Sequence, residues 1–447
     1  MTPNAQTLNP TPDDYSLLTD LYQLTMIACY CGEGIENYPA SFELFTRRLP
    51  PNFGYLIAMG LAQGLEYLQS FHFTSNHLEA LEKTGIFTHA PKKFWSTLAS
   101  GKFTGDVYAV AEGSPIFANE PILRIEAPLW QAQLVETYLL NTINYQTLIA
   151  TKSARIRDVA GDDAILLEFG TRRAFSPQGA MWAARAALAA GLDSTSNVAT
   201  ALKLGIKPSG TMAHSFIMAV GALEGGEDEA FRIFHRYFPN APLLIDTYDT
   251  IEAAKRLSEQ IKAGKIQVSG VRIDSGDLVT LSQKVRGFLP DSLLFASGDL
   301  DEWEITRLKE LGACFDGYGL GTKLVTGTPV NGVYKLVEIK GIPTMKKSTD
   351  KITYPGRKQI FRSQDDLQIY SDRIALIEET PNHQEIPLLE LVMKQGEVIQ
   401  QPESLTTIQQ RTRINVTKLP PSTRQINAPN SLSISLSTAL KNLIDHA

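Results

Sequence analysis

A chain of 447 residues, 43% hydrophobic and 20% charged, has the composition of an ordinary globular protein and the length of roughly two or three domains. Its 42 Lys and Arg against 48 Asp and Glu give a net charge of −6, which excludes a nucleic-acid binder relying on an overall basic field. Cys29, Cys31 and Cys314 are too few for a disulfide framework and lack the partners of a zinc site, so small buried hydrophobes in a reducing compartment are expected. The stretch from Met1 to Ser16 has neither the basic nor the apolar region of a secretory signal. No run approaches the roughly 18 apolar residues of a membrane span. A cytoplasmic protein, away from membranes, is the expectation.

In chain order, a first helix starts near Thr19 or Asp20, with Leu21, Leu24, Ala28 and Cys31 on one face and Gly32 as its stop. Tyr22 falls about 100° from that face, either as a surface aromatic or as an element touching something else. Ala40 to Phe45 and Gly105 to Val110 alternate like half-exposed strands. The middle of the chain changes grammar, because short apolar runs end in Gly, Asp, Ser or Thr and lead into amphipathic stretches. Ile165 to Phe169 leads to Gly170-Thr171-Arg172-Arg173, and Ser176-Pro177 then reads as N-cap and first residue of an alanine-rich helix. Pro242 to Asp246, Gly270 to Asp274, Leu293 to Ala296 and Cys314 to Tyr318 repeat the pattern. Strand and helix in alternation predict βαβ units and a parallel sheet buried on both faces. Functional residues then belong at the C-terminal strand ends, whether the sheet closes as a barrel or stays open. Val333 to Ile339 reads as a hairpin arm, and the irregular parts of the polar tail 401–431 are assigned no element.

Four strand-end clusters carry chemical potential. Gly319-Leu320-Gly321-Thr322 lets backbone N–H groups approach a phosphate, or is an ordinary tight turn. Arg272 and Asp274 share one strand face, which suits an anionic substrate with a ribose or metal-bound phosphate, or a structural ion pair. His214, after Gly210-Thr211-Met212-Ala213, is an acid–base or phosphoryl-accepting candidate, or a structural histidine. Phe169 offers a stacking ring and Arg172 a guanidinium, unless they are a strand residue and a surface arginine. Further on, Lys346, Lys347, Lys351, Arg357, Lys358 and Arg362 stand against the single acid Asp350, either as a solvated face or as help in holding polyphosphate.

In order along the chain, Leu18-Thr19-Asp20-Leu21-Tyr22-Gln23-Leu24-Thr25-Met26, Phe42 to Arg48, Glu168 to Arg173, Gly210 to His214, Val271 to Asp277, Gly319 to Thr322 and the segment from Lys346 to Arg362 resemble the nicotinate phosphoribosyltransferases, a type II phosphoribosyltransferase family. The resemblance implies an irregular βα-barrel (130–343), an α+β N-terminal domain (1–129), and a C-terminal segment (344–447) that packs on that domain and the site. It also implies ATP-coupled condensation of nicotinate with phosphoribosyl pyrophosphate to nicotinate mononucleotide and pyrophosphate, a ligase reaction of NAD salvage that uses Mg²⁺. A homodimer with shared active sites is implied too, so that Tyr22 serves the partner's site.

By the same resemblance, His214 is the histidine phosphorylated by ATP. Phe169 and Tyr22 sandwich the pyridine ring, Thr211 and Arg272 contact nicotinate, and Gly319, Gly321 and Thr322 hold the ribose 5-phosphate with Arg172 nearby. Asp274 and, more weakly, Asp246 are expected at the ribose or metal-bound phosphate. Two rivals differ in what they need. A nicotinamide-using relative carries an aspartate near Ser196, where a serine removes repulsion of a carboxylate. A noncatalytic nucleotide-binding regulatory barrel would not need His214.

Overall fold

Strands whose side chains are buried on both faces build the sheet that carries the chemistry. A computed structural model describes residues 8, 10–347, 352–400 and 402–446, which form two units: 149–328, and 1–148 together with 329–447.

The unit 149–328 holds β1 (Ile165–Glu168), β2 (Ser194–Thr195), β3 (Leu243–Leu244), β4 (Gly270–Ile273), β5 (Leu293–Ser297) and β6 (Gly317–Leu320). They pair in parallel in the order β2-β1-β6-β5-β4-β3. Leu166, Leu244, Val271, Ile273, Leu294 and Leu320 are buried, as near-continuous apolar strands require. The intervening helices begin where short polar side chains accept a hydrogen bond from the first turn. Ser176 accepts from Gly179 at the start of Pro177–Ala189, and Asp249 from Ile251 and Glu252 at Thr250–Lys262. Asp277 caps Leu278–Phe288 and Asp301 caps Glu302–Glu310. The expected mixed α/β architecture with a parallel sheet is what the chain forms.

The second unit is built on a seven-stranded sheet, in the spatial order Ile342–Pro343, Gly332–Ile339, Pro39–Thr46, Pro121–Pro128, Asp106–Val110, Leu389–Lys394 and Glu397–Val398. The hairpin arm expected after Gly332 is present and turns through Lys340 and Gly341, both with positive φ. Pro39–Thr46 departs from the half-exposed expectation. It is an inner strand paired on both sides, and every residue after Pro39 is buried. Its polar Glu43 is tolerated there because Lys358 Nζ lies 2.9 Å from the carboxylate.

Lys358 belongs to a second sheet, ordered Glu385–Pro387, Lys358–Gln364, Ile369–Leu376 and Ser433–Leu436. Neither reading of the basic segment fits its latter part. Arg362 is buried in a two-bond pair with Asp372 at 2.9 and 2.6 Å, and Arg357 faces Glu126, Glu338 and Glu378. Lys346 and Lys347 are exposed, and 348–351 lie outside the described residues.

The first helix is Leu21–Glu33, ended by Gly34 at φ 71° rather than by Gly32. Its buried face is rotated from the expected one. Gln23 and Ile27 are buried and Leu21 is exposed, because Gln23 pairs inside with Glu136 (2.7 Å) and Gln133 (2.6 Å). Cys31 is buried as expected, whereas Cys29 sits on the exposed side and Cys314 is half-buried. The tail contains a helix, Leu405–Lys418, with Ile408, Thr412 and Val416 inward. No helix among the described residues is long and apolar enough to cross a membrane.

Candidate active site

The C-terminal ends of β3, β4 and β5 are stitched together by two carboxylates. Asp246, two residues beyond β3, accepts from the Asp274 backbone N–H at 2.9 Å and from Ser275 Oγ at 2.7 Å, both through Oδ2. Asp274, just past β4, accepts from Ser297 Oγ at 2.6 Å. Asp246 Oδ1 is buried, has no hydrogen-bond partner among the described residues, and lies 3.8 Å from His214 Nε2. His214 opens the helix His214–Glu224, and its Nδ1 is 3.0 Å from Thr247 Oγ1. The imidazole is thus held at its Nδ1 edge while 39% of its side chain stays exposed, so a co-substrate can reach it.

Arg272, on β4, donates from Nη2 to the Met212 carbonyl at 3.0 Å, and Thr211 Oγ1 donates to the same oxygen at 3.2 Å. The guanidinium carbon lies 5.9 Å from the centroid of the Phe169 ring. Its Nε is buried without a hydrogen-bond partner among the described residues. Burial pulls the Arg272 pKa below the usual arginine value, and Asp274 and Asp246 oppose that pull. An arginine remains charged under this strain, so a desolvated cation with an unsatisfied donor stands beside an aromatic ring.

Phe169 follows β1, and its N–H donates to the Leu320 carbonyl at 2.7 Å. Its ring lies against β6 at Gly319, where a Cβ would come within 2.6 Å of two ring carbons. Gly319 therefore makes room for a ring, a different use from the expected approach of backbone to phosphate. Glu168 anchors the same turn from inside, accepting from Gly170 N–H and, at 2.5 Å, from Thr195 Oγ1. Burial raises its pKa and these two bonds lower it. Ser196 follows β2 half-buried, with its N–H on the Glu168 carbonyl at 2.9 Å.

Gly321 precedes the single helical turn Thr322–Val325, and Lys323 at its edge pairs with Asp301 at 3.0 Å. Asp274, Ser275, Asp299, Asp301 and Lys323 line a cleft of about 540 Å³. Arg172 stands in the exposed turn after Gly170, near enough to Arg272 to disfavour its charge. One connected site thus gathers His214, Asp246, Asp274, Arg272, Thr211, Phe169 and Gly319. Tyr22 belongs to the other unit, 48% exposed on the first helix. Sequence reasoning passed over Thr247, Ser297 and the part played by Glu168. The available signal was position, since Thr247 directly follows Asp246 and Ser297 closes β5.

No group of three or more His, Cys, Asp or Glu among the described residues is arranged as a metal cage. Mg²⁺ needs only one or two carboxylates when substrate phosphates complete its shell. The unpartnered Asp246 Oδ1 is a hard oxygen donor of that kind, so the residues present fit a phosphate-bound Mg²⁺.

Residues 17–144 match the nicotinate phosphoribosyltransferase (NAPRTase) N-terminal domain, 165–291 the NAPRTase family proper, and 377–444 the NAPRTase C-terminal domain. The chain belongs to the nicotinate phosphoribosyltransferase family. Among its relatives, the nicotinate phosphoribosyltransferase of Bacillus subtilis (strain 168) is 40% identical, covering 95% of this chain and 93% of its own. One from Mycobacterium tuberculosis (strain H37Rv) is 38% identical over 92% of this chain and 89% of its own. The crystal structure of human nicotinic acid phosphoribosyltransferase superposes with a TM-score of 0.84 at 28% identity, covering 96% of this chain and 99% of that one.

Proposed function

We propose that the chain joins nicotinate to 5-phosphoribosyl 1-pyrophosphate, releasing nicotinate mononucleotide and pyrophosphate in NAD salvage, with ATP hydrolysis coupled to the reaction. The observation that carries this reading is the buried Arg272 guanidinium with an unsatisfied Nε beside the Phe169 ring. A flat aromatic carboxylate answers both features, because its ring stacks on Phe169 and its carboxylate takes paired charge-assisted hydrogen bonds from Arg272. Thr211 adds a hydroxyl beside that carboxylate.

The pyridine nitrogen uses its lone pair to form the bond to the anomeric carbon as the bond to the pyrophosphate oxygen breaks. The nitrogen carries no proton, so no general base is needed there. The transition state is cationic at the sugar, and holding the two reactants in line supplies much of the acceleration. Asp274 and Asp246 stand where ribose hydroxyls or a metal-bound phosphate belong. Gly321, Thr322 and Arg172 serve the 5-phosphate end, with Gly319 keeping the neighbouring ring in place. Mg²⁺, when bound at Asp246 with the pyrophosphate, supplies charge neutralisation of the leaving group.

His214 is the group that ATP phosphorylates. The ring nitrogen carrying the lone pair attacks the γ-phosphorus as the bond to ADP breaks, and water later cleaves the N–P bond. Thr247 holds the imidazole through Nδ1 for that attack. Tyr22 is the second stacking ring of this reading, contributed across a homodimer, and the cytoplasm is where its substrates are met.

The test is Arg272→Ala. Loss of a buried charge-assisted contact raises the nicotinate KM by about 100-fold while ATP binding is kept. Nicotinate dependence equal to that of the wild type contradicts the assignment.

A further inference from the structure

The helical turn Thr322–Val325, which continues directly from Gly319–Gly321, is held from behind by a lysine that is buried in the middle of a helix. Lys152 lies on Glu136–Ala160 with 8% of its surface exposed. Its ammonium donates to the carbonyls of Lys323 and, at 2.7 Å, of Thr326. These oxygens close the short turn Thr322–Val325, where no further helical N–H follows to donate to them. Gly327 completes the fit, because a Cβ there would stand 3.2 Å from Lys152 Nζ, and its φ of 153° disfavours any other residue.

One turn further along the same helix, Arg155 pairs with Glu302 at 2.9 Å, both side chains wholly buried. Glu302 begins the helix after β5, and the adjoining Asp301 reaches Lys323 at 3.0 Å. Lys152 and Arg155 therefore secure two successive strand-end turns, those after β5 and β6. Burying an ammonium is costly unless its donors are satisfied, and here they are spent on loop carbonyls. Burial is also the main reason why the Lys152 pKa lies below the usual lysine value, with Glu302 and Asp301 opposing it.

We infer that Lys152 is a positioning residue for phosphoribosyl pyrophosphate: it fixes the Gly319–Thr322 turn against the 5-phosphate and places a desolvated positive charge behind it. This rests on the phosphoribosyltransferase reading of the site. The Lys152 ammonium bonds to Lys323 and Thr326, whereas the Arg272 guanidinium bonds to Met212, so removal of Lys152 is expected to act on one substrate and spare the other.

The experiment measures binding of phosphoribosyl pyrophosphate to the whole protein by titration calorimetry, without base or ATP, for the wild type, Lys152→Met and Lys152→Arg. The steady-state KM of each substrate is measured beside it. Lys152→Met is expected to weaken phosphoribosyl pyrophosphate about tenfold or more while the nicotinate KM moves by less than about twofold, and Lys152→Arg recovers part of the loss. Equal binding by Lys152→Met and wild type overturns the inference, as does a parallel loss of both substrates. Where Lys152→Met does not fold, Lys152→Gln, which keeps an amide donor, is read by the same split. A wild type that binds no phosphoribosyl pyrophosphate overturns the reading of the site itself and Lys152's part with it.

Discussion

Phe169 and Gly319 occupy each other's space, and that makes the pair a sensitive reporter of the base pocket. A methyl at Gly319 would meet two ring carbons at 2.6 Å, closer than real contacts allow, so Gly319→Ala must swing the ring. The expected outcome is a rise of about tenfold in the nicotinate KM with a smaller change for ATP. A nicotinate KM equal to wild type would detach Phe169 from base binding. His214 makes a second prediction. His214→Ala leaves no phosphorylatable ring between Thr247 and Asp246, so acid-labile phosphate from γ-labelled ATP disappears and ATP no longer stimulates product formation. Retained label in that variant moves the phosphorylated group elsewhere. Arg272 and Asp274 were legible in the sequence because they end a recognisable apolar strand, and His214 because it follows a Gly-Thr turn, although the strand expected before that turn is absent and residues 206–213 form neither helix nor strand. The bonds that organise them were not legible. Asp246 to Asp274 and Asp274 to Ser297 join residues 28 and 23 positions apart, and only the strand order brings them together.

Elements were readable where local signals were strong and were misread where burial overrode pattern. Ser176-Pro177 announces a helix start in the sequence and caps that helix in the structure, where Asp249, Asp277 and Asp301 do the same for three helices whose caps the sequence reading passed over. Removing the Ser176 cap by Ser176→Ala is expected to cost about 1 kcal/mol, read by chemical denaturation; no change would mean that Pro177 alone sets the helix start. Pro39–Thr46 was misread because Glu43 looks like a solvent-facing residue until Lys358, 315 positions away, is seen to neutralise it. The tail helix Leu405–Lys418 escaped because its inward stripe, Ile408-Thr412-Val416, is one residue wide and has a threonine in the middle.

Glu120 adds a pH dependence at this scale. It is fully buried, accepts from Phe117 N–H at 2.8 Å, and lies against the Asp372–Arg362 pair. Burial first, then the Asp372 carboxylate, hold its pKa well above the ordinary glutamate value of 4.5. The folded state therefore binds this proton more tightly than the unfolded chain, and stability falls as pH rises from that ordinary value through the folded one. Glu120→Gln keeps the acceptor for Phe117 and gives Asp372 a permanent donor. It is expected to stabilise the protein by about 1 kcal/mol or more at about pH 8 and to flatten the decline from about pH 5. A loss of stability at the alkaline end would contradict the protonated-pair assignment.

At the scale of the whole molecule, the chain leaves its N-terminal unit at residue 148 and returns to it at 329, so that Leu389–Lys394 pairs with Asp106–Val110 across more than half the sequence. No local pattern announces a partner that distant, and the split into 149–328 and its complement emerges only from the pairing. The class of function was equally out of reach of composition and charge, which argued against a nucleic-acid binder with an overall basic field but named no substrate. It became legible when seven strings were taken in order along the chain, because short motifs at independent places constrain a family far more than any one of them. The measurement that bears most directly on the central claim is mononucleotide formation from phosphoribosyl pyrophosphate, with nicotinate and nicotinamide offered separately, each with and without ATP. The expected result is product with nicotinate alone, increased by ATP. Product with nicotinamide in preference would contradict the role of Arg272 and Ser196 in selecting a carboxylate, and no product from either base would contradict the enzyme reading altogether.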